Sequence, residues 1–175
     1  MPEPIAMIAE AIRAVPDFPK PGILFRDITT LLMNPEATSA AISLLSARIR
    51  SLKPTHIAAI ESRGFLFGAP VAQALGLPLC ILRKPGKLPA KIRRETYDLE
   101  YGTDAIEIHE DALTTGDRVV VMDDLLATGG TAAAAGRLVV SCGAEVLGYA
   151  FVVELKDLGG REKLLSAPVI SLVMY

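Results

Sequence analysis

The chain has little of several residue types that often carry chemistry or hold a fold together. It has no tryptophan, nine other aromatic residues (four Tyr and five Phe), two cysteines and two histidines among 175 residues. Cys80 and Cys142 lack the spacing of a disulfide framework or a metal site, so we expect two thiols in a reducing, cytoplasmic environment. No apolar run approaches the roughly 18–20 residues that cross a bilayer, and the N-terminus lacks the pattern of a signal peptide. These absences argue against a membrane protein and a disulfide-stapled secreted domain.

The composition is that of a folded domain of ordinary size. Hydrophobic residues make up 51% of the chain and charged residues 22%. This content is too apolar for a disordered protein, and the length suits one domain with a substantial core.

The net charge of −2 conceals a sharp asymmetry between two neighbouring segments. Residues 83–94, the basic block, hold six basic residues and no acidic one, while residues 95–111, the acidic block, hold seven acidic residues and no Lys or Arg. Pro85, Gly86 and Pro89 favour a loop over a helix face for the basic block. The block lacks interleaved aromatic residues and is followed by acids, so we expect no nucleic-acid partner.

Strand-like and helix-like segments alternate along most of the chain. Short apolar runs followed by helical patterns indicate a central, mostly parallel sheet flanked by helices, that is, an α/β fold. We predict helices over 4–15, 35–51 (capped by Asn34), 65–75, 132 to about 142, and 157–165. We predict strands over 57–60, 79–82, 118–122, 145–155 and 168–174, a hairpin joining 95–100 to 104–108, and a short strand or ordered loop over 23–30.

Two adjacent acids and a glycine-containing loop follow the strand predicted at 118–122. Asp123 and Asp124 precede the loop Ala127, Thr128, Gly129, Gly130 and Thr131, which leads into a helix. Glycines allow close approach to a phosphate, and a helix N-terminus favours an anion. Carboxylates accept hydrogen bonds from a ribose diol and also suit magnesium. The pattern therefore predicts a sugar-phosphate site, the alternative being a glycine-rich turn with an acidic N-cap.

This segment resembles the phosphoribosyl pyrophosphate signature of the type I phosphoribosyltransferases. It lacks the P-loop pattern of nucleoside triphosphatases and the Gly-x-Gly-x-x-Gly of dinucleotide folds. Further blocks resemble the adenine-specific branch of that family, in chain order: 18–28 (FPKPGILFRDI), 61–65 (ESRGF), 83–89 (RKPGKLP), 99–102 (LEYG) and 160–164 (GREKL).

The resemblance implies a type I phosphoribosyltransferase fold in a single domain over residues 1–175. It implies a small N-terminal hood over about residues 1–34 and a flexible lid loop. The implied reaction converts adenine and phosphoribosyl pyrophosphate to AMP and pyrophosphate with Mg²⁺, in purine salvage. The metal would be held mainly through pyrophosphate and the ribose hydroxyls, with no direct protein ligand.

Departure of pyrophosphate leaves negative charge that cations must stabilise. Arg63 and the basic block supply the available cations. By resemblance, residues 61–64 form a pyrophosphate loop in which Arg63 is the key side chain, Ser62 binds substrate and the Glu61–Ser62 peptide is cis. Lys84 also binds substrate, and Lys87 resembles a flexible-loop residue that reaches the pyrophosphate. Arg83 resembles a residue that reaches the pyrophosphate from the neighbouring subunit of a homodimer.

The remaining implied roles concern the purine base. Glu100 resembles an acid that assists proton transfer at N7 of adenine, and Tyr101 resembles a lid residue that excludes water. Of the other acids of this block, several are expected to be solvated or paired with the basic block, among Asp98, Asp104, Glu107, Glu110 and Asp111. Base recognition would involve Leu24, Phe25, Arg26 and Leu125, with Phe25 stacked on the purine.

Two other functions remain open at this stage. One is transfer to a 6-oxopurine such as hypoxanthine or guanine. The other is a regulator that senses phosphoribosyl pyrophosphate without turning it over.

Overall fold

The computed structural model describes residues 3–98, 102–164 and 167–175. Within these ranges the chain forms two compact units, one ending at Leu44 and the other running over Leu45–Tyr175. The boundary falls inside a helix, Pro35–Arg50, whose two halves are assigned to different units.

The N-terminal unit begins with helix α1 (Pro4–Glu10), strands β1 (Arg13–Pro16) and β2 (Leu24–Asp27), and short helix α2 (Thr29–Leu32). Helix α3 (Pro35–Arg50) follows, and the Asn34 side chain accepts a 3.1 Å hydrogen bond from the N–H of Ala37, which confirms the predicted cap.

The helix predicted over residues 4–15 is wrong beyond Glu10. Strand β1 pairs antiparallel with β2, in a register that sets Arg13 opposite Asp27. The Arg13 guanidinium binds the Asp27 carboxylate at 2.5 Å. Hydrogen bonds from Arg13 and Thr29 lower the pKa of Asp27 to about 2. This long-range pairing overrides the helical apolar pattern.

The C-terminal unit is built on a five-stranded, fully parallel sheet in the order β4-β3-β7-β8-β9. The predicted parallel α/β architecture is confirmed. Its strands are β3 (His56–Ile60), β4 (Leu79–Leu82), β7 (Arg118–Leu126), β8 (Glu145–Glu154) and β9 (Val169–Met174).

Helices α4 (Gly64–Leu75) and α5 (Gly130–Ser141) provide the crossovers β3-α4-β4 and β7-α5-β8. The two crossovers run in opposite directions from the central strands, and right-handed crossovers of that kind place their helices on opposite faces of a sheet. The α5 face is closed by the antiparallel hairpin of β5 (Ile92–Asp98) and β6 (Thr103–His109), whose Tyr97, Ile106 and Ile108 enter the same buried cluster as Leu138.

Other elements of the C-terminal unit also differ from the expectation. Strand β7 continues four residues beyond the predicted end at Met122, so Asp123 and Asp124 lie in the strand and not in a loop. Strand β5 begins at Ile92, inside the basic block. The helix predicted over 157–165 is two short 3₁₀ turns, Lys156–Leu158 and Gly160–Leu164.

Cys80 is buried and Cys142 partly buried, and both are free thiols. Burial raises the pKa of Cys80 to about 12, which makes it unreactive as a nucleophile. Within the described ranges, no helix combines the length and apolar character that crossing a bilayer requires.

Candidate active site

The central pair of strands, β3 and β7, is the point at which the strand order reverses. Chain connections leave β3 toward β4 on one side and β7 toward β8 on the other. In open parallel sheets, ligands bind in the crevice outside the carboxyl ends of strands at such a point. The segments after β3, β4 and β7 therefore lie side by side at one edge of the sheet.

The segment after β3 crosses toward the acids of β7. The Glu61–Ser62 peptide bond is cis, as the resemblance implied. Arg63 Nε donates a 2.7 Å hydrogen bond to Asp124 Oδ2. Asp124 is buried, with its side chain 4% exposed, whereas 48% of the Arg63 side chain is exposed. Arg63 thus neutralises a buried carboxylate while part of its guanidinium faces solvent.

Asp123 lies beside this ion pair. Its Oδ1 accepts a 2.8 Å hydrogen bond from the N–H of Asp124. Burial, and then the neighbouring charge of Asp124, raise the pKa of Asp123 well above its usual value. Gly64 leaves room for this carboxylate, since a Cβ on Gly64 would stand 3.0 Å from Asp123 Oδ1. The site therefore holds two adjacent acids, and ionising one of them, Asp123, is unfavourable in the folded protein.

The loop after β7 supplies an anion site. Gly129 has φ +78°, a conformation that favours glycine, and it precedes the first turn of the 12-residue helix α5. The N-cap residue Gly129 makes no side-chain capping hydrogen bond, so the first-turn N–H groups of α5 remain available to an anion. The loop residues predicted to bind phosphate line a cleft of about 90 Å³ together with Leu125, Asp123, Leu126 and Ala132.

The segment after β4 carries the basic block and is held by Glu61. The Glu61 carboxylate accepts hydrogen bonds from Arg83 Nε at 3.0 Å and from the N–H of Lys84 at 2.7 Å. Lys87 Nζ lies 3.3 Å from the other Glu61 oxygen. Burial opposes ionisation of Glu61, but these donors outweigh it and lower its pKa. Glu61 therefore holds three residues of the basic block, Arg83, Lys84 and Lys87.

The acidic block contributes two further anchors. Asp104 pairs with the Lys84 ammonium, and the hydrogen bond from Lys84 lowers the pKa of Asp104. Glu107, which is buried, accepts a 2.9 Å hydrogen bond from the N–H of Gly86. Asp98, Glu110 and Asp111 are exposed. The expectation of solvated or basic-block-paired acids is confirmed for these residues.

A cleft of about 360 Å³ brings the three segments together. Most of the predicted substrate-binding residues of the C-terminal unit line it or adjoin it. It is lined by Ile60, Glu61, Ser62, Arg63, Lys84, Asp123, Asp124 and Thr131. Arg83 and Lys87 are not among these lining residues, but both form ion pairs with Glu61, which is one of them.

The predicted base-recognition residues Leu24, Phe25 and Arg26 lie on β2 of the N-terminal unit. Leu24 is exposed, and Phe25 makes an edge-to-face contact with Phe18, with ring centroids 5.1 Å apart. Glu100 and Tyr101 lie outside the described residues.

Three residues have structural roles that the sequence did not reveal. Glu61 holds the basic block, Gly160 contacts the phosphate loop, and Arg161 anchors Gly160's segment through Glu154. Glu61 and residues 160–164 both fall within blocks that carried the family resemblance, so a signal was present. Sequence alone did not reveal what these side chains touch.

The chain matches a known family over most of its length. The family described as phosphoribosyl transferase domain matches residues 27–172. Adenine phosphoribosyltransferase from Synechococcus sp. (strain ATCC 27144 / PCC 6301 / SAUG 1402/1) is 57% identical over 164 residues, covering 94% of this chain and 96% of that protein. The chain belongs to the adenine phosphoribosyltransferase family.

Solved structures of that family share its fold. The crystal structure of adenine phosphoribosyltransferase from Thermoanaerobacter pseudethanolicus ATCC 33223 is 49% identical, with a TM-score of 0.94 and coverage of 98% of this chain and 99% of that chain. The enzyme from Saccharomyces cerevisiae, complexed with D-2,5-dideoxy-2,5-imino-altritol 1,6-bisphosphate and adenine, is 42% identical with a TM-score of 0.90, covering 97% of this chain and 98% of that chain. The predicted type I phosphoribosyltransferase fold is confirmed.

Proposed function

We propose that this protein is a pentosyltransferase that moves the 5-phosphoribosyl group of phosphoribosyl pyrophosphate to adenine, forming AMP and pyrophosphate in purine salvage. One observation carries the proposal: the acid pair of β7 leads directly into a glycine loop at a helix N-terminus and shares a cleft with Arg63 and Lys84. This order of groups matches a sugar diol flanked by a phosphate on one side and a pyrophosphate on the other.

The 5′ phosphate is assigned to Ala127, Thr128, Gly129, Gly130 and Thr131. Backbone N–H groups and the two hydroxyls donate hydrogen bonds there, and the α5 N-terminus adds a favourable dipole. The ribose 2′ and 3′ hydroxyls donate to Asp123 and Asp124. The diol thereby separates the phosphate from the two carboxylates, which would otherwise repel it.

The pyrophosphate is assigned to Ser62, Arg63 and Lys84, with Arg83 and Lys87 as further cations. Cleavage of the C1′–oxygen bond leaves positive charge on the ribose and negative charge on the departing pyrophosphate. Arg63 donates to Asp124 and also presents an exposed edge of its guanidinium to the cleft. It can therefore bind pyrophosphate beside the carboxylate that holds the sugar.

Adenine is assigned to Leu24, Phe25 and Arg26, and the family resemblance adds Leu125 to the base-recognition residues. Stacking of a purine on an aromatic ring contributes roughly 1–3 kcal/mol. Backbone donors and acceptors at Leu24 and Arg26 would distinguish a 6-amino from a 6-oxo purine, because a mismatch leaves buried polar groups unpaired. Glu100 takes part in proton transfer at N7 as the N9–C1′ bond forms, and Tyr101 excludes water. These roles rest on the family resemblance.

Magnesium fits the donor chemistry of the cleft. In the described part of the chain, no three His, Cys, Asp or Glu side chains cluster as metal ligands, and Arg63 already binds one oxygen of Asp124. The acid pair could thus assist a cation whose ligands come mainly from pyrophosphate and ribose oxygens. When bound, Mg²⁺ supplies charge neutralisation of the pyrophosphate.

We further propose a cytoplasmic homodimer in which Arg83 also reaches the partner's pyrophosphate site. Family resemblance supports the dimer, and the two free thiols suit a reducing compartment. Light scattering tests the dimer, which requires twice the chain mass of 18.6 kDa.

Parallel incubations with adenine, hypoxanthine or guanine test the substrate. Each contains phosphoribosyl pyrophosphate and Mg²⁺, a matched set contains EDTA, and nucleotides are separated by chromatography. The proposal predicts AMP from adenine, loss of product with EDTA, and little IMP or GMP. Comparable IMP formation would identify a 6-oxopurine enzyme, and binding of phosphoribosyl pyrophosphate without any turnover would identify a sensor.

A further inference from the structure

The phosphate loop is packed, backbone to backbone, against a second segment of the chain. A Cβ on Gly160 would lie only 2.2 Å from the carbonyl oxygen of Ala127 and 3.0 Å from the amide nitrogen of Gly129. Conversely, a Cβ on Gly129 would lie 2.4 Å from the carbonyl oxygen of Gly160. Ordinary contacts between carbon atoms lie near 3.5–4.0 Å. The two backbones therefore approach to a distance that only glycine permits on either side.

The segment that carries Gly160 is anchored to the sheet by its neighbour Arg161. The Arg161 guanidinium donates two hydrogen bonds to Glu154, at 2.9 and 2.5 Å, and one of 3.0 Å to the carbonyl oxygen of Val169. Ser171 donates a further 2.5 Å hydrogen bond to Glu154. Glu154 is 4% exposed, and hydrogen bonds from Arg161 lower its pKa. A bidentate pair of this kind holds geometry as well as charge.

This anchor joins Glu154, the last residue of β8, to Val169 and Ser171 in the first half of β9, whereas the phosphate loop leaves the end of β7. The N–H of Leu155 donates a 2.9 Å hydrogen bond to the carbonyl oxygen of Leu126, which joins the two strand ends just before the loop begins. Gly160 thus touches the loop from a segment that Arg161 ties to Glu154 at the end of β8.

We infer that Gly160 is a positioning residue for the sugar-phosphate loop, and that Arg161 and Glu154 hold it in place. The inference rests on the proposed function, because it assigns the contacted loop to the 5′ phosphate. Gly160 itself touches no substrate. It sets the position of the Ala127 carbonyl and the Gly129 N–H, and hence the direction of the donors that follow.

Gly160→Ala is the direct test. The new methyl group must push the loop by roughly 1 Å to reach an ordinary contact distance. Misplacement of that size can cost about 100-fold in activity. We expect the KM for phosphoribosyl pyrophosphate and the Kd for ribose 5-phosphate to rise about tenfold or more. The KM for adenine and the inhibition constant of pyrophosphate, which is assigned to the other end of the cleft, should stay within about twofold.

Gly159→Ala is the matched control. Gly159 has φ +62°, so alanine there strains the backbone, but its Cβ would meet nothing closer than Glu162 at 3.7 Å. Gly160 lacks a positive φ, so the two variants separate backbone strain from contact with the loop. Gly159→Ala should lower the melting temperature and leave the Kd for ribose 5-phosphate within about twofold.

Arg161→Lys provides a second line of evidence if Gly160→Ala does not fold. Lysine keeps the charge beside Glu154 but loses the bidentate geometry. We expect a smaller rise, about threefold, in the Kd for ribose 5-phosphate by calorimetry, again with an unchanged inhibition constant for pyrophosphate.

Wild-type binding separates the two ways in which this account can fail. If wild-type protein binds neither ribose 5-phosphate nor phosphoribosyl pyrophosphate, the proposed function is wrong. If wild-type protein binds both, and Gly160→Ala and Arg161→Lys bind ribose 5-phosphate as wild type does, the positioning role is wrong. Equal weakening of ribose 5-phosphate and pyrophosphate would also overturn it, because it would indicate a general structural loss.

Discussion

Arg63 Nε and Asp124 Oδ2 are 2.7 Å apart, and this ion pair joins the loop after β3 to the acids at the end of β7. The sheet register explains how they meet. Ala59 is level with Met122, so the chain reaches the level of Asp124 one residue past the end of β3 at Ile60, and Arg63 follows two residues later. The same bond that neutralises a buried carboxylate thus sets Arg63 at the mouth of the cleft.

Arg63→Ala should both destabilise the protein and weaken its binding of phosphoribosyl pyrophosphate. The variant leaves the buried Asp124 carboxylate without its cation. Because Arg63 is half exposed, the loss is smaller than for a fully buried pair, about 1–2 kcal/mol. For a chain of this size, that corresponds to a fall of roughly 2–8 °C in melting temperature. Calorimetry measures the melting temperature and the Kd for phosphoribosyl pyrophosphate.

Arg137→Ala is the control for this variant. Arg137 binds Glu95 at 2.6 Å and is similarly exposed, but the pair lies outside the cleft. Arg137→Ala should lower the melting temperature by less than Arg63→Ala does, and it should leave the Kd for phosphoribosyl pyrophosphate unchanged. Equal behaviour of the two variants would contradict the role given to Arg63.

Asp123→Asn should stabilise the protein at neutral pH while weakening its binding of sugar phosphate. The pKa of Asp123 is raised in the folded protein, so ionising this group costs folding free energy. The cost is absent below the unfolded pKa, grows as pH rises toward the raised folded pKa, and is complete above it. Asparagine keeps the oxygen that accepts the Asp124 N–H and removes the charge.

Melting temperatures across pH 4–8 measure this effect. The difference between Asp123→Asn and wild type should increase with pH, with each 2–4 °C corresponding to roughly 1 kcal/mol. A constant or decreasing difference would show that the pKa of Asp123 is not raised.

Glu61→Gln should loosen the basic block without unfolding the sheet. The carboxylate accepts the Lys84 N–H at 2.7 Å and binds Arg83 and Lys87, and a neutral amide holds cations less strongly. If Glu61→Gln weakens the attachment of the basic block by about 1 kcal/mol, the block should open roughly five times more readily. Hydrogen exchange at the Lys84 amide and the rate of tryptic cleavage after Lys87 measure this opening. Glu95→Gln, which breaks an ion pair elsewhere, should change neither rate, and unaltered exchange in Glu61→Gln would refute the anchor.

Glu100→Gln should lower kcat far more than it raises the KM for adenine. A positioned acid or base contributes about 10²–10⁴-fold to a proton transfer, whereas the amide keeps the size and much of the hydrogen bonding. Steady-state kinetics with adenine varied measures both constants. Asp98→Asn, a change at an exposed acid two residues earlier, should leave both within about twofold. An unchanged kcat in Glu100→Gln would remove this residue from the mechanism.

Elements whose residues repeat a buried pattern could be predicted from the sequence, whereas elements formed by long-range pairing could not. The five parallel strands and both crossover helices follow from apolar runs and their spacing. Residues 13–16 continue a helical apolar pattern, but antiparallel pairing with β2 makes them a strand. Asp123 and Asp124 resembled loop residues because charges are rare in central strands. Parallel pairing with β8 as far as Glu154 nevertheless extends β7 through both.

In the candidate site, too, features that belong to local motifs could be predicted, whereas contacts between distant residues could not. The acid pair, the glycine loop and Arg63 were identifiable because each belongs to a short motif whose chemistry is local. The bond between Arg63 and Asp124, the anchoring of the basic block by Glu61, and the support of the loop by Gly160 join residues far apart in sequence. Such contacts depend on strand order and register, which composition and spacing do not specify.

The assignment of the ribose diol to Asp123 and Asp124 is tested by titrating phosphoribosyl pyrophosphate into wild-type protein and into the Asp123→Ala/Asp124→Ala double variant. Isothermal calorimetry in the presence of Mg²⁺, with circular dichroism showing that both proteins are folded, gives the two affinities. The account predicts saturable one-site binding to the wild type and no measurable binding to the variant. Retention of wild-type affinity by the variant would contradict the assignment of the ribose diol to these two acids.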